Sequence, residues 1–168
     1  MRWAVYNFLF AAVYLAMLPR FWWRMRRRGG YRNRFSDRFG RYPAEISERL
    51  AALKGAVWIH AVSVGEVYVA GQVMRSLREA CPGVSFVLST TSSTGWKEAE
   101  KQVGPEDVLI YNPVDFTVCV RRALDAVRPR ALILTESEIW PNLIRLCRRR
   151  EVPVFLVNAR VSDRSAPG

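Results

Sequence analysis

The stretch AVWIHAVSVGEVYVAGQVMRSL, residues 56–77, contains a strand pattern that turns directly into a helix pattern. Residues 56–62 are mostly apolar, as in a buried strand, and from Val67 onward the apolar residues recur three and four positions apart, as on one face of a helix. A strand that leads at once into a helix is the first half of a βαβ unit. The turn between them places Glu66 at the carboxyl edge of the predicted sheet, where open α/β sheets bind ligands.

Four more apolar runs follow, and a helical pattern precedes each of them. The strand-like runs are residues 84–90, 107–111, 131–135 and 153–157, and the helical patterns are residues 66–80, 94–103, 115–127 and 139–150. Strict alternation of apolar strands and helices predicts a parallel sheet with helices on both faces. Right-handed crossovers favour a Rossmann-like, doubly wound α/β fold with strand order 3-2-1-4-5. In that order strands 1 and 4 are neighbours, so the turns that follow them face one cleft.

An apolar segment precedes this domain. Residues 3–18 carry no charge, and a helix that continues through Trp23 is about 31 Å long, against a hydrocarbon core of about 30 Å. We expect a single N-terminal membrane anchor, with an in-plane interfacial helix as the alternative. A cleaved signal peptide is disfavoured, because no small-x-small site follows and dense arginines do. The positive-inside rule places everything after residue 20 in the cytoplasm.

The basic charge of the chain is concentrated near this segment. The formal net charge is +11, and residues 1–41 hold ten arginines against Asp37 alone, so +9 of it belongs to them. Arginines and aromatic residues alternate over residues 24–42, which predicts a patch on anionic membrane lipids. Docking of the patch onto the domain, near an anionic substrate, is the alternative. The adjoining apolar helix disfavours nucleic-acid binding, although arginine beside aromatic rings would suit it.

A chain of 168 residues allows one domain with short additions. We divide it into a membrane anchor helix, residues 1–23, a basic segment, residues 24–55, and a Rossmann-like domain, residues 56–168. The basic segment ends in a short helix over residues 43–54. Three cysteines in helix-like stretches fit no metal spacing, so we expect reduced core thiols in a cytosolic compartment. They are Cys81, Cys119 and Cys147.

Carboxylates follow both strands that border the predicted cleft. Ser63 and Glu66 have the spacing of a capping box, in which Ser63 is the N-cap. The functional alternative makes Glu66 a general base, which needs partial desolvation to become basic enough. The two roles are compatible, because the cap can hold the carboxylate in place. Glu136 sits directly at the end of strand 4, where an unpaired acid has little structural reason to be, whereas Glu138 fits a first-turn acid favoured by the helix dipole.

Hydroxyl and basic residues follow the second and fifth strands. Thr90, Thr91 and Thr94 surround the start of a helix, where hydroxyls and free N–H groups hold an anion or a sugar hydroxyl, or simply cap the helix. Asn158 and Arg160 follow strand 5, and the arginine either meets a phosphate or lies on the surface.

For the remaining polar and aromatic candidates, a structural role explains the residue at least as well as a functional role does. His60, the only histidine, lies within strand 1 and is expected to be a core residue. Trp140 is either core or a wall of the cleft. The sequence contains neither the G-x-G-x-x-G fingerprint after strand 1 nor a P-loop, and it shows no metal-ligand cluster. A dinucleotide-dependent oxidoreductase is therefore disfavoured.

Several motifs together resemble the N-terminal half of the bacterial 3-deoxy-D-manno-octulosonic acid (Kdo) transferases that act on lipid A precursors. The specific strings are HAVSVGE at residues 60–66 and ESEIWPNL at residues 136–143. Shorter matches accompany them: Arg34-Phe35, Arg38-Phe39-Gly40, Thr90-Thr91, Thr94-Gly95, Pro113, Asp115 and NARVSDRS at residues 158–165.

The resemblance implies a two-domain GT-B glycosyltransferase in the bacterial inner membrane, whose N-terminal domain binds the acceptor and whose C-terminal domain binds CMP-Kdo. It implies that Glu66 is the base that activates a hydroxyl of the lipid A precursor lipid IVA, and that the reaction needs no metal or other cofactor. Glu136, with Glu138 in reserve, would support the transition state. The substrate-binding positions it implies are Ser63, Gly65, Thr90, Thr91, Thr94, Asn158 and Arg160.

The sequence departs from the family pattern in places. Ser92-Ser93-Thr94-Gly95 stands where the family has Thr-Pro-Thr-Gly, and Pro113-Val114-Asp115 stands where it has proline-tyrosine-aspartate. The chain also stops at Gly168, where the family continues into the donor domain, so we expect negligible transferase activity from this chain alone. The alternatives are a non-catalytic, membrane-anchored binding module and a nucleotide-binding Rossmann protein.

Overall fold

A five-stranded parallel sheet lies at the centre of the computed structural model, which describes residues 2–28, 34–53, 55–136 and 139–159. The spatial order of the strands is β3-β2-β1-β4-β5, which confirms the predicted doubly wound sheet. In the register of β1 and β4, His60 lies opposite Leu134, so the turns after these strands begin at the same level. The strands are β1 (Val57–His60), β2 (Phe86–Thr90), β3 (Val108–Tyr111), β4 (Ala131–Thr135) and β5 (Val154–Val157).

Helices connect the strands where the periodicity predicted them, with shorter ends in places. The helix after β2 stops at Ala99 rather than at residue 103, because its last turn tightens into bonds such as Gln102 N–H to the Ala99 carbonyl at 3.0 Å. The helices of the domain are α2 (Ala44–Ala52), α3 (Val64–Ala80), α4 (Ser93–Ala99), α5 (Thr117–Val127) and α6 (Pro141–Arg149).

The sheet buries apolar side chains on both of its faces. Alternate strand residues such as Trp58 and Leu132 pack with α2, α5 and α6, whereas Ile59 and Phe86 pack with α3 and α4 on the opposite face. Central strands covered on both faces explain the nearly continuous apolar runs. At the edge, Phe155 of β5 remains about half exposed.

A single helix, α1 (Arg2–Arg28), precedes the domain and contains Pro19. Residues Trp3–Phe21 have a mean hydropathy of 1.4, and within the described residues this is the one segment long and apolar enough to cross a membrane. The helix continues past the expected boundary at residue 23. The three-part division of the chain into residues 1–23, 24–55 and 56–168 stays a prediction.

The middle of the basic segment packs on the domain. A 3₁₀ helix, Phe35–Phe39, buries Asp37 and Arg38 against the sheet edge. The guanidinium of Arg38 donates to the Thr91 carbonyl at 2.9 Å and lies 4.1 Å from the ring centre of Tyr111. The expectation that this whole segment faces lipid headgroups is therefore wrong at Arg38, since aromatic stacking and a carbonyl hold it on the protein. Docking onto the domain, which was the alternative, is correct for Arg38, and its proximity to an anionic substrate stays a prediction.

Two of the three cysteines are core residues, as predicted. Cys119 and Cys147 are buried on α5 and α6, but Cys81 is exposed. Cys81 is the C-cap of α3, where the chain leaves the helix and turns through Gly83 toward β2. The helical stripe that faces the sheet ends before it, so the prediction that Cys81 lies in the core is wrong.

Candidate functional site

The candidate site lies at the carboxyl edge of the sheet, where the winding reverses between β1 and β4. Glu66 stands in the first turn of α3, directly after β1. The Ser63 side chain accepts a hydrogen bond from Glu66 N–H at 3.2 Å, and Oε1 of Glu66 accepts one from Ser63 N–H at 3.1 Å. This reciprocal pair is the predicted capping box.

Glu66 has further donors from outside its own helix. Its Oε2 accepts hydrogen bonds from Val62 N–H at 3.0 Å and from the Thr135 hydroxyl at 3.0 Å. Thr135 is the last residue of β4 and Val62 lies just after β1, so the carboxylate is hydrogen-bonded beside the ends of both strands at the switch point. Only 5% of Glu66 is exposed to solvent.

These contacts set the acidity of Glu66. Burial raises its pKa, but the hydrogen bonds from Val62, Ser63 and Thr135 outweigh burial and leave the pKa below its ordinary value. The partial desolvation that a general base needs is therefore present, but in this conformation the hydrogen bonds outweigh it. Its role as a general base stays a prediction.

Glu136 follows Thr135 at the same edge of the sheet, with a backbone φ of 57°. Its N–H donates to the Val157 carbonyl at 2.9 Å, and its Oε1 accepts from Asn158 Nδ2 at 3.4 Å. The structure thus brings both predicted acids to one edge of the sheet. Thr135, the last residue of β4, donates to Glu66, whereas Glu136, which follows it, hydrogen-bonds to Val157 and Asn158. Glu138 and Arg160 lie outside the described residues.

The predicted hydroxyl cluster after β2 is largely engaged within the protein. Ser92 caps α4 by accepting from Gly95 N–H at 3.0 Å, so the capping interpretation of this turn is correct. Thr90 is fully buried, and its Oγ1 is 3.5 Å from the Val62 carbonyl. A Cβ on Gly95 would come within 2.5 Å of that Oγ1, so only glycine fits there. Thr94 is exposed; substrate contact by these residues stays a prediction, as it does for Ser63, Gly65 and Thr91.

His60 and Trp140 pack together behind the site. His60 is fully buried, its Nδ1 lies 3.0 Å from the Ser89 hydroxyl, and burial lowers its pKa to about 4. It is a core histidine, as expected. Trp140 meets its ring edge-on at 6.1 Å and also lines the cavity described below, so it is both core and wall. Among the residues that the structure describes, no group of three His, Cys, Asp or Glu side chains converges to hold a metal.

A buried polar cluster beside the site was not anticipated. Asp115 accepts the backbone N–H groups of Asn142 at 2.9 Å and Leu143 at 3.0 Å, and so caps α6. It also accepts from the hydroxyl of Tyr6, on α1, at 2.7 Å. Burial raises the pKa of Asp115 above its ordinary value despite these hydrogen bonds. The available signal was that Asp115 and Asn142 both belong to the quoted family motifs.

A cavity of about 300 Å³ opens between α1 and the carboxyl edge of the sheet. Its wall on α1 is mostly apolar, and two arginines, Arg20 and Arg38, contribute to its lining. The α1 wall consists of Phe10, Val13, Tyr14, Met17, Leu18 and Phe21. The domain wall consists of Thr91, Asn112, Pro113, Val114 and Trp140 together with Arg38. The cavity suits a ligand with an apolar part and an anionic group.

Fold and site together define a doubly wound α/β domain with a hydrogen-bonded carboxylate at the switch point and an apolar cavity lined on one side by the N-terminal helix. The model of the 3-deoxy-D-manno-octulosonic-acid transferase (Kdotransferase) family matches residues 33–168. The chain belongs to this family.

Curated relatives carry the same family name. A 3-deoxy-D-manno-octulosonic acid transferase of Bordetella pertussis is 39% identical over 150 residues, which are 86% of this chain and 34% of that protein. The transferase of the same name from Haemophilus influenzae is 34% identical over 136 residues, covering 81% of this chain and 31% of that protein. A probable mitochondrial one from Arabidopsis thaliana is 30% identical over 143 residues, covering 85% and 31%. The chain thus spans about a third of the length of these relatives.

Proposed function

We propose that this chain is the acceptor-binding half of a glycosyltransferase that moves Kdo from CMP-Kdo to a lipid A precursor, lipid IVA, in lipopolysaccharide core biosynthesis. The observation that carries the proposal is the position of Glu66 at the switch point of a Kdo transferase family domain, at the same sheet edge as the cavity. The CMP-Kdo donor would bind a further domain. Membership of the family favours this function over the nucleotide-binding alternative.

The cavity between α1 and the domain supports a lipid acceptor. Apolar side chains of α1 suit an acyl chain, and the guanidinium groups of Arg20 and Arg38 suit a phosphate. A lipid acceptor also accounts for α1 itself, which would hold the domain on the cytoplasmic side of the bacterial inner membrane. The arginines within residues 24–32 would contact anionic lipids.

For Glu66 to act as a base, one of the hydrogen bonds that its carboxylate accepts must break. The Thr135 hydroxyl lies 2.9 Å from the His60 carbonyl and 3.0 Å from Oε2 of Glu66, and its single proton serves one of them at a time. When the hydroxyl proton points to the His60 carbonyl, Oε2 loses a hydrogen-bond donor and the pKa of Glu66 rises. Glu66 then takes the proton of the acceptor hydroxyl, whose oxygen attacks the anomeric carbon of Kdo as CMP leaves. Glu136 would stabilise charge in the transition state.

The test joins this chain to the donor domain of the Bordetella pertussis relative and measures Kdo transfer to lipid IVA in vesicles. We expect Glu66→Gln to lower the rate about 100-fold or more, the usual contribution of a general base. Glu79→Gln, an exposed acid on the same helix, is the matched control and keeps the full rate. Circular dichroism of both variants checks that they fold. If the Glu66→Gln fusion and the unmodified fusion transfer Kdo at equal rates, Glu66 is not the general base. If the unmodified fusion is inactive, the proposal that this chain binds the acceptor is wrong.

A further inference from the structure

Polar contacts hold the first turns of α1 on the domain. The Tyr6 hydroxyl donates to Asp115 at 2.7 Å, and Asn7 Oδ1 accepts from Asn142 Nδ2 at 2.8 Å. Asp115 and Asn142 are almost completely buried, so these are contacts with the polar interior of the domain rather than with its surface. The N-terminal end of the apolar segment is therefore part of the domain's hydrogen-bond network.

The same helix also contacts the domain at its middle and near its other end. The rings of Phe10 and Tyr14 lie edge-on to Phe116, with centroids 5.2 and 5.3 Å away. Farther on, the Arg38 guanidinium lies 6.0 Å from the ring centre of Phe21. From Tyr6 to Phe21 a helix rises about 22 Å, so one domain contacts most of the length of the apolar segment.

The opposite face of α1 is apolar and exposed. Val5, Phe8, Leu9, Leu15 and Trp23 each expose more than half of their surface, from 53% to 74%. Beyond Trp23 in the sequence, five arginines lie within residues 24–32 without an intervening acid. An apolar face that is followed along the chain by clustered positive charge complements the acyl region and anionic headgroups of one membrane leaflet.

We propose that α1 lies in the plane of a membrane leaflet, with its exposed face in lipid, and does not cross the bilayer. A helix that crossed would carry the domain into the hydrocarbon along with its docked face, or would lose the Tyr6 and Asn7 contacts and leave Asp115 and Asn142 without them. The occupant of the exposed face is an anionic phospholipid leaflet. This placement of α1 holds whether or not the domain takes part in sugar transfer.

Spin labels on the exposed face measure the depth of α1 in vesicles of phosphatidylethanolamine and phosphatidylglycerol. Positions Val5, Ala12 and Trp23 fall within about 20° of one another around the helix axis. Each is replaced by cysteine in the full chain carrying Cys81→Ser, since Cys119 and Cys147 are buried. The depth of each nitroxide follows from its collision rates with oxygen, which concentrates in lipid, and with a water-soluble nickel complex.

An in-plane helix gives the three labels the same depth, below the headgroups of one leaflet. A label at Ala51→Cys, an exposed site on α2, is the control and reports water. A depth maximum at Ala12→Cys, with Val5→Cys and Trp23→Cys at shallow positions, overturns the proposal in favour of a crossing helix. Three labels that all report water overturn it as well, because the exposed face then has no lipid partner.

Discussion

Thr135→Val removes the one hydroxyl that links β4 to the candidate base. Thr135 is fully buried, and its Oγ1 lies 3.0 Å from Oε2 of Glu66. Hydrogen bonds to charged groups contribute about 1.5–3 kcal/mol to the free energy of unfolding, and valine keeps the shape of threonine while removing the donor. For a chain of this length, that loss corresponds to a melting temperature lower by about 3–12 °C. The pKa of Glu66 should rise, because one of the hydrogen bonds that lower it is lost.

Thermal unfolding in detergent at pH 7, followed by circular dichroism, measures the effect. Thr94→Val is the matched control, since Thr94 is exposed and its replacement should change the unfolding free energy by less than about 0.5 kcal/mol. If the Thr135→Val variant and the unmodified chain melt at the same temperature, the bond between Thr135 and Glu66 contributes no stability. The proposed rotation of the Thr135 hydroxyl between the His60 carbonyl and the Glu66 carboxylate would then have no basis.

Two further predictions concern stability in the same assay. The pKa of His60 is lowered from 6.5 to about 4 in the folded chain, so the unfolded chain takes up a proton first as the pH falls. We expect this histidine to cost about 2 kcal/mol of stability between pH 7 and pH 5, and His60→Gln to lack that loss; an equal pH dependence in both would contradict the burial argument. Gly40→Ala should destabilise far more than Gly83→Ala. Both have positive φ, which costs alanine about 1–2 kcal/mol, but only at Gly40 would a Cβ meet backbone, 2.5 Å from the Cys119 carbonyl. Equal losses would show that the Gly40 contact relaxes freely.

Much of the fold of the domain could be predicted because the sequence patterns that indicate it are local. The two residues of the capping box, Ser63 and Glu66, are three positions apart, and both of its hydrogen bonds form as the spacing indicates. The strand order follows from alternating apolar runs and the right-handed crossover rule. The burial of His60 follows from its place in an apolar strand.

The acidity of the candidate base could not be predicted, because it depends on a residue remote in the sequence. Thr135 lies 69 positions from Glu66, and nothing in either motif indicates that its hydroxyl donates to the carboxylate. That Arg38 within the basic patch would be buried could not be predicted for a related reason. A run of arginines suggests a solvated surface, whereas the ring of Tyr111 and the Thr91 carbonyl reach this one only after the sheet edge is assembled.

The sequence by itself determined which segments become strands and helices, the order in which they pair, and the sheet edge at which Glu66 and Glu136 both lie, because hydrophobic periodicity and chain handedness act locally. Only the tertiary structure decided how Glu66 is hydrogen-bonded and where α1 rests. An uncharged apolar helix has the same composition in a bilayer and against a protein. The contacts of Tyr6 with Asp115 and of Asn7 with Asn142 distinguish the two, since they pair polar groups more than a hundred residues apart.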